Sequence, residues 1–230
     1  MRRQALTDEE FRAIKGHIRA PYTDAYFKAA EGDHGPAAVL FGDVLWEMFA
    51  PASAVDFGCG CGGTLAGLKQ HGVEVQAVDA SEAAAPFIAR HDQAIADGLI
   101  VHDLSKPLLL PRKYDLAIST ECLEHLPPEG SEEVVRTITG AVPRAVITAC
   151  GPTGRNPLHT NERPFAFWVD LFTAAGFTLN HETTSKLRAI MRGHQNNLPP
   201  GVPLIPSWYF SGYIGVFEAV MDGAVLTVSP

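Results

Sequence analysis

Apolar residues in this chain follow two periods. From residue 53 on, short apolar runs (Ala54-Val55-Asp56-Phe57, Val73 to Val78, Leu99-Ile100-Val101, Tyr114 to Ile118, Ala145 to Ala149) alternate with helical spacing at about 63–71, 82–91 and 131–139. Runs of this length that are almost continuously apolar suit strands covered on both faces, and their alternation with helices predicts a parallel α/β sheet. Ser131-Glu132-Glu133 opens the last of these helices as a capping sequence. Pro164 to Ala175 then places Phe165, Trp168, Val169 and Phe172 at helical spacing, stopped by Gly176. Phe177 to Thr183 and Tyr213 to Val220 alternate as a sixth and a seventh strand. Ahead of residue 53 two helices are expected. One runs from Thr7-Asp8-Glu9-Glu10 to Pro21 and carries Phe11, Ile14 and Ile18; the other runs from about Pro36 to Phe49 with Val39, Leu40, Val44, Leu45 and Met48 on one face. No internal repeat or linker interrupts the pattern, so residues 1–230 read as one domain with a helical lead-in over 1–50.

Composition narrows the class. With 46% apolar and 19% charged residues in 230, a sizeable core is affordable, and disordered, collagenous and coiled-coil readings are excluded. A net charge of −8 argues against a broad electrostatic grip on nucleic acid or anionic lipid. Met1 to Glu10 turns acidic after two arginines and does not run into an apolar core, unlike a secretory signal. The charge-free stretch Gly193 to Phe217 contains Pro199, Pro200, Pro203 and Pro206, which marks a loop and not a membrane span. Four cysteines (Cys59, Cys61, Cys122, Cys150), three of them at strand ends, fit a reducing cytoplasm.

The densest chemical signal is Val55-Asp56-Phe57-Gly58-Cys59-Gly60-Cys61-Gly62-Gly63. Glycines at a strand-to-helix junction let the backbone turn sharply and approach a ligand closely. Two readings stay open on the glycines alone: Gly58-x-Gly60-x-Gly62 suits a methyltransferase loop, and Gly58-x-Gly60-x-x-Gly63 satisfies a dinucleotide fingerprint. Asp79, ending the second strand 23 residues after Asp56, serves either ligand by accepting ribose hydroxyls.

Asp56-Phe57-Gly58-Cys59-Gly60-Cys61-Gly62 closely resembles motif I of class I S-adenosylmethionine-dependent methyltransferases, which carry an acid where dinucleotide folds place an apolar residue. The succession of motifs extends the resemblance over roughly residues 37–183. It implies a Rossmann-like seven-stranded sheet, mostly parallel with an antiparallel last strand, helices on both faces, and S-adenosyl-L-methionine as cofactor. The implied cofactor contacts are Asp56, Gly58, Cys59, Gly60 and Gly62 in the loop, Asp79 and Ala80 after the second strand, Asp103 and Leu104 after the third, and Thr120 after the fourth. Asp103 equally suits a turn.

Glu121-Cys122-Leu123-Glu124-His125-Leu126-Pro127 follows the fourth strand and resembles the acid–His segment of small-molecule methyltransferases. As one helical turn it would face Glu121, Glu124 and His125 the same way. Small-RNA 3′-terminal 2′-O-methyltransferases and ubiquinone-pathway O-methyltransferases are similar here, which implies a divalent metal on Glu121, Glu124, His125 and His159. Relatives without a metal also carry such pairs. The loop Gly151 to Pro164 packs His159, Asn161 and Glu162 into four positions over the carboxyl ends of the strands, as in some sugar- or glycan-directed relatives; Asn161 also suits a helix cap at Pro164.

The expected reaction is O-methylation of a small molecule or of a sugar or glycan hydroxyl. His159 is the expected base, or else His125, with Glu124 orienting. An insertion over 186–212 and the N-terminal helices are expected to close the acceptor site, with Tyr22, Tyr26, Phe27, Trp208 and Tyr209 as aromatic candidates. Lys186, Arg188 and Arg192 make a basic cluster near the expected mouth. The competing readings are an NAD-type oxidoreductase and a non-catalytic cofactor-binding protein. Nucleic acid as a partner is disfavoured by charge and by the lack of a basic module.

Overall fold

The apolar runs become seven strands of one sheet: β1 Ser53–Phe57, β2 Glu74–Asp79, β3 Ile100–Val101, β4 Leu116–Ser119, β5 Arg144–Thr148, β6 Phe177–Leu179 and β7 Ile214–Ala219. The computed structural model describes residues 22–152, 158–198 and 204–220, with backbone alone at 32–34. The strand order is β3-β2-β1-β4-β5-β7-β6. Pairs from β3 through β5 are parallel, and β7 is antiparallel to both β5 and β6, as expected. Arg144 and Glu218 are opposed across β5 and β7 and joined by an ion pair of 2.7 Å, which favours this register over its neighbours.

Period-two alternation sorts each strand between two helical layers. Val55, Phe57, Ala145 and Ile147 pack towards α5 (Ser131–Ala141) and α6 (Phe165–Ala174). Ala54, Ile118, Val146 and Val216 pack towards α1 (Asp24–Phe49) and α7 (His181–Asn196). α2 (Gly63–Gln70) crosses α1 where Gly42 meets Gly67, and a Cβ on either would lie 2.2 Å from a carbonyl oxygen of the other helix. Phe172 of α6 stacks on Phe217 at 4.3 Å, worth about 0.5–1.5 kcal/mol beyond the buried area. That contact anchors the chain just downstream of the 158–164 loop.

Several expectations are corrected. α1 begins at Asp24 and carries Pro36 inside it, because burial of Phe27 on one side of the proline and of Phe41 and Leu45 on the other outweighs one missing N–H. The 82–91 helix divides into a 3-10 turn, Glu82–Ala84, and α3, Ala85–His91; a further helix, α4 Gln93–Asp97, is capped by Asp92. α5 has no side-chain cap, and Ser131 instead accepts a hydrogen bond from the Asn161 amide at 2.8 Å. Asn161 therefore does not cap α6.

The largest correction concerns Phe177 to Thr183. β6 stops at Leu179, Asn180 accepts the Thr183 N–H as an N-cap, and α7 runs on to Asn196. The described residues of 186–212 cover a face of the sheet, where Leu187, Met191, Ile205 and Tyr209 pack with Phe41. Arg188 and Arg192 donate to the carbonyls of Ile214 and Phe210, tying α7 to the chain it covers. The helix expected over 7–20 and part of the 151–164 loop lie outside the described residues. Among the described residues, no helix is long and apolar enough to cross a membrane.

Candidate active site

β1 and β4 are neighbours whose connections leave towards opposite edges of the sheet, so a crevice opens at their carboxyl ends. A cavity of about 570 Å³ lies there, floored by Gly58 and Gly60 and walled by Asp79, Glu121, Cys122 and His125, with Tyr22, Tyr26 and Phe27 closing it from α1 and the turn before it. Of the residues expected to touch a cofactor, Gly58, Gly60, Asp79, Ala80 and Leu104 line it; Asp56, Cys59, Gly62, Asp103 and Thr120 do not. Tyr22, Tyr26 and Phe27 take the expected wall positions, whereas Trp208 and Tyr209 belong to the core behind α1.

The loop is built for close approach. Gly58 and Gly60 have φ of 78° and 55°, and a Cβ on Gly58 would sit 2.3 Å from the Cys122 sulfur. The N–H groups of Gly58 and Cys59 both reach the Val78 carbonyl, at 2.8 and 3.0 Å. Asp79 accepts the N–H of Gly60 at 3.0 Å on one oxygen and that of Ser81 at 2.9 Å on the other. The carboxylate thereby locks the glycine loop and the β2 end together, with its remaining lone pairs available to a ligand. Burial raises Asp79, and its backbone donors oppose the rise.

Asp56 is buried beneath this floor with one oxygen unpartnered. Burial first, and the nearby Asp79 charge second, push it up to about 8. Asp103 takes the turn role: its Oδ1 accepts the N–H and the hydroxyl of Ser105, at 3.0 and 2.7 Å.

The Glu121–His125 segment is not one helical turn. Only Leu123–His125 is a 3-10 turn, and Glu121 is left-handed at φ 50°, a conformation costing about 1–2 kcal/mol for a residue with a side chain. Thr148 compensates on both sides, accepting the Glu121 N–H at 2.9 Å and donating its hydroxyl to Glu121 Oε1 at 3.0 Å. Glu124 is fully buried, and neither of its oxygens has a well-formed hydrogen bond. Burial and the adjacent Glu121 carboxyl hold Glu124 well above the ordinary carboxyl range. His125 is pushed down to about 4, by burial first and His159 second. Its Nδ1 donates to the Leu158 carbonyl at 3.2 Å, which leaves Nε2 as the acceptor of a neutral ring.

His159 meets His125 edge-on, the ring centres 4.6 Å apart. Its Nδ1 donates to Glu162 Oε1 at 2.9 Å, so Glu162, and not Glu124, orients it. The loop carrying this pair is clamped to the 121–126 segment: Thr160 donates its hydroxyl to the carbonyls of His125 and Leu126, and Asn161 donates its N–H to that of Glu124. Ligand atoms of Glu124, His125 and His159 lie within 4.8 Å of one another, and so do those of Cys150, His159 and Glu162. Glu121, expected as a metal ligand, belongs to neither group. Sequence reasoning missed the Glu162 pairing, although the i, i+3 spacing was visible; it also missed Cys122 as the atom that forces Gly58 to be glycine, a contact no local signal carries.

Residues 40–143 match the family model of the methyltransferase domain. That stretch, a little under half of the chain, is similar to a methyltransferase domain. Among solved structures its fold is similar to three methyltransferases. The CcbJ methyltransferase of Streptomyces caelestis shows a TM-score of 0.56 and 15% identity over 81% of this chain and 90% of that one. The 1,6-didemethyltoxoflavin N1-methyltransferase of Burkholderia thailandensis, solved with 1,6-didemethyltoxoflavin and S-adenosylhomocysteine, shows 0.55 and 18% over 96% and 94%. The O-methyltransferase of a trans-AT PKS multienzyme of Brevibacillus brevis, solved with S-adenosyl-L-homocysteine, shows 0.51 and 15% over 79% and 71%. A search of curated proteins found no match. The dinucleotide reading left open by the glycine spacing falls away, since the family match spans the glycine loop of the methyltransferase domain.

Proposed function

We propose that this methyltransferase transfers the methyl group of S-adenosyl-L-methionine to a hydroxyl of a small molecule, a natural-product ring or a sugar, in the cytoplasm. The observation that carries the reading is the cavity at the switch point, where Asp79 is pinned to a left-handed glycine loop on one side and His125, backed by the His159 ring, stands on the other. The cofactor's methyl leaves a sulfonium, so the protein's task is to align the acceptor in line with the S–CH₃ bond and to exclude water. Asp79 accepts the ribose hydroxyls, and the Tyr22, Tyr26 and Phe27 wall excludes water. His159, held by Glu162 with Nε2 directed away from the carboxylate, takes the acceptor's proton. His125 is kept too acidic to serve well as base at neutral pH and instead packs against the His159 ring. Calorimetry with S-adenosylhomocysteine, followed by tritiated-methyl transfer to a panel of phenols, alcohols and sugars, tests the reading: heat with labelled product is expected, and no heat overturns it.

A second reading follows from the buried Glu124 carboxyl, which no well-formed hydrogen bond satisfies. Three of the four expected ligands, Glu124, His125 and His159, come together and would fit a divalent ion, which would acidify the acceptor hydroxyl when bound. In that case His159 is a ligand and not the base. Full turnover after exhaustive chelation retires this reading.

Asp56 makes cofactor binding depend on pH. S-adenosylmethionine brings an ammonium and a sulfonium, which favour the ionised carboxylate, so binding expels the proton that Asp56 retains up to about 8. Affinity is expected to rise as pH goes from about 6 towards 8, and Asp56→Asn is expected to flatten that part of the profile. Without ligand the sign is opposite for folding. The folded-state value is raised above the ordinary 3.8, so this residue's contribution to stability is complete below about 4 and is lost as pH rises through about 8. Calorimetric titrations and thermal melts across that range measure both.

A further inference from the structure

We propose that Cys150, His159 and Glu162 form a binding site for a divalent transition ion of the zinc class. Their ligand atoms lie within 4.8 Å of one another, and His159 Nδ1 and Glu162 Oε1 are already 2.9 Å apart. Four-coordinate zinc with bonds of about 2.0–2.3 Å places its ligands about 3.3–3.8 Å from each other, so closure on an ion needs shifts of only about an ångström.

The three residues are held for the purpose. Cys150 lies two residues past the end of β5, next to Ala149, whose N–H is bonded to the Tyr213 carbonyl at 3.2 Å, and it forms no disulfide. Between His159 and Glu162, Thr160 and Asn161 are tied to the 125–126 carbonyls and to Glu124 and Ser131. Two ligands on a clamped loop and a third at a strand end make a preorganised set, with one position left for water or substrate.

The donor chemistry selects the ion. A thiolate, an imidazole and a carboxylate favour zinc or cobalt over magnesium or calcium, in contrast to the oxygen-and-nitrogen set of Glu124, His125 and His159. The ion takes the place of the proton now shared by His159 and Glu162. On the reading of His159 as base, a loaded site therefore silences methyl transfer, and zinc is a reversible inhibitor.

The test is titration of the full-length, metal-free protein with cobalt(II), followed by near-ultraviolet and visible absorption. A thiolate-to-cobalt charge-transfer band with the strong d–d bands of four-coordinate cobalt is expected. Cys150→Ser removes the charge-transfer band, Glu162→Gln keeps it but weakens binding at least about tenfold, and Glu124→Gln changes neither. The proposal is overturned if wild-type protein shows no charge-transfer band, if the band survives Cys150→Ser, or if Glu124→Gln and not Glu162→Gln weakens binding. Circular dichroism of each variant separates lost ligation from lost folding. Absence of cobalt binding leaves the methyl-transfer reading intact, because cofactor binding and turnover are measured without metal.

Discussion

Replacing His159 by alanine is expected to lower methyl transfer about 10²–10⁴-fold while the affinity for S-adenosylhomocysteine stays unchanged. The separation follows from position. His159 stands beyond His125, outside the residues that line the cofactor cavity. Removing it takes away the proton acceptor and leaves Asp79, Gly58 and Gly60 as they were. Glu162→Gln is the companion variant. It keeps an acceptor for Nδ1–H but not the carboxylate charge, so a smaller loss in turnover is expected. Isothermal calorimetry and single-turnover methyl transfer measure the two quantities separately, and a parallel loss of both in His159→Ala refutes the assignment as base.

Asp79→Ala is expected to act the other way, on binding before chemistry. Two charge-assisted hydrogen bonds to ribose hydroxyls contribute on the order of 3–6 kcal/mol between them, so cofactor affinity falls by about 10²–10⁴-fold. The same substitution frees the N–H groups of Gly60 and Ser81, which loosens the floor of the cavity as well as removing a ligand contact. Asp79→Asn separates the two effects. An asparagine carbonyl can keep one backbone donor but offers no charge, so loop order is partly retained while most of the affinity is lost. Calorimetry gives the affinity, and hydrogen exchange at Gly60 and Ser81 reports the loop.

Much of the fold was legible because the signals were local. β1, β4 and β5 are short runs too apolar for anything but a covered strand, and Gly176, at φ 83°, ends α6 where the sequence places a stop. Phe177 to Thr183 reads as a single strand because period-two alternation over three residues of true strand runs straight into the first turn of α7. Asn180, with Glu182 in the first helical turn, was the competing signal, and its side chain does cap that helix. Pro36 reads as a helix start because proline is favoured at the first helical position. What keeps the helix going through it is burial against α2 and the sheet, a tertiary term that outweighs one lost hydrogen bond.

By itself the amino-acid order determined the class of fold, the strand that carries the glycine loop, and the two carboxylates placed around that loop. These depend on periodicity, on backbone freedom at glycine and on residue chemistry, all readable over a few neighbours. Only the tertiary structure decided which acids and imidazoles meet. It paired His159 with Glu162, buried Glu124 without a good partner, turned Glu121 to Thr148 across 27 residues, and laid the described residues of 186–212 on a face of the sheet. Pairings of that kind are set by where distant strands and loops are brought together, and the energy that chooses among them is the burial of the whole core and not any preference of the residues involved.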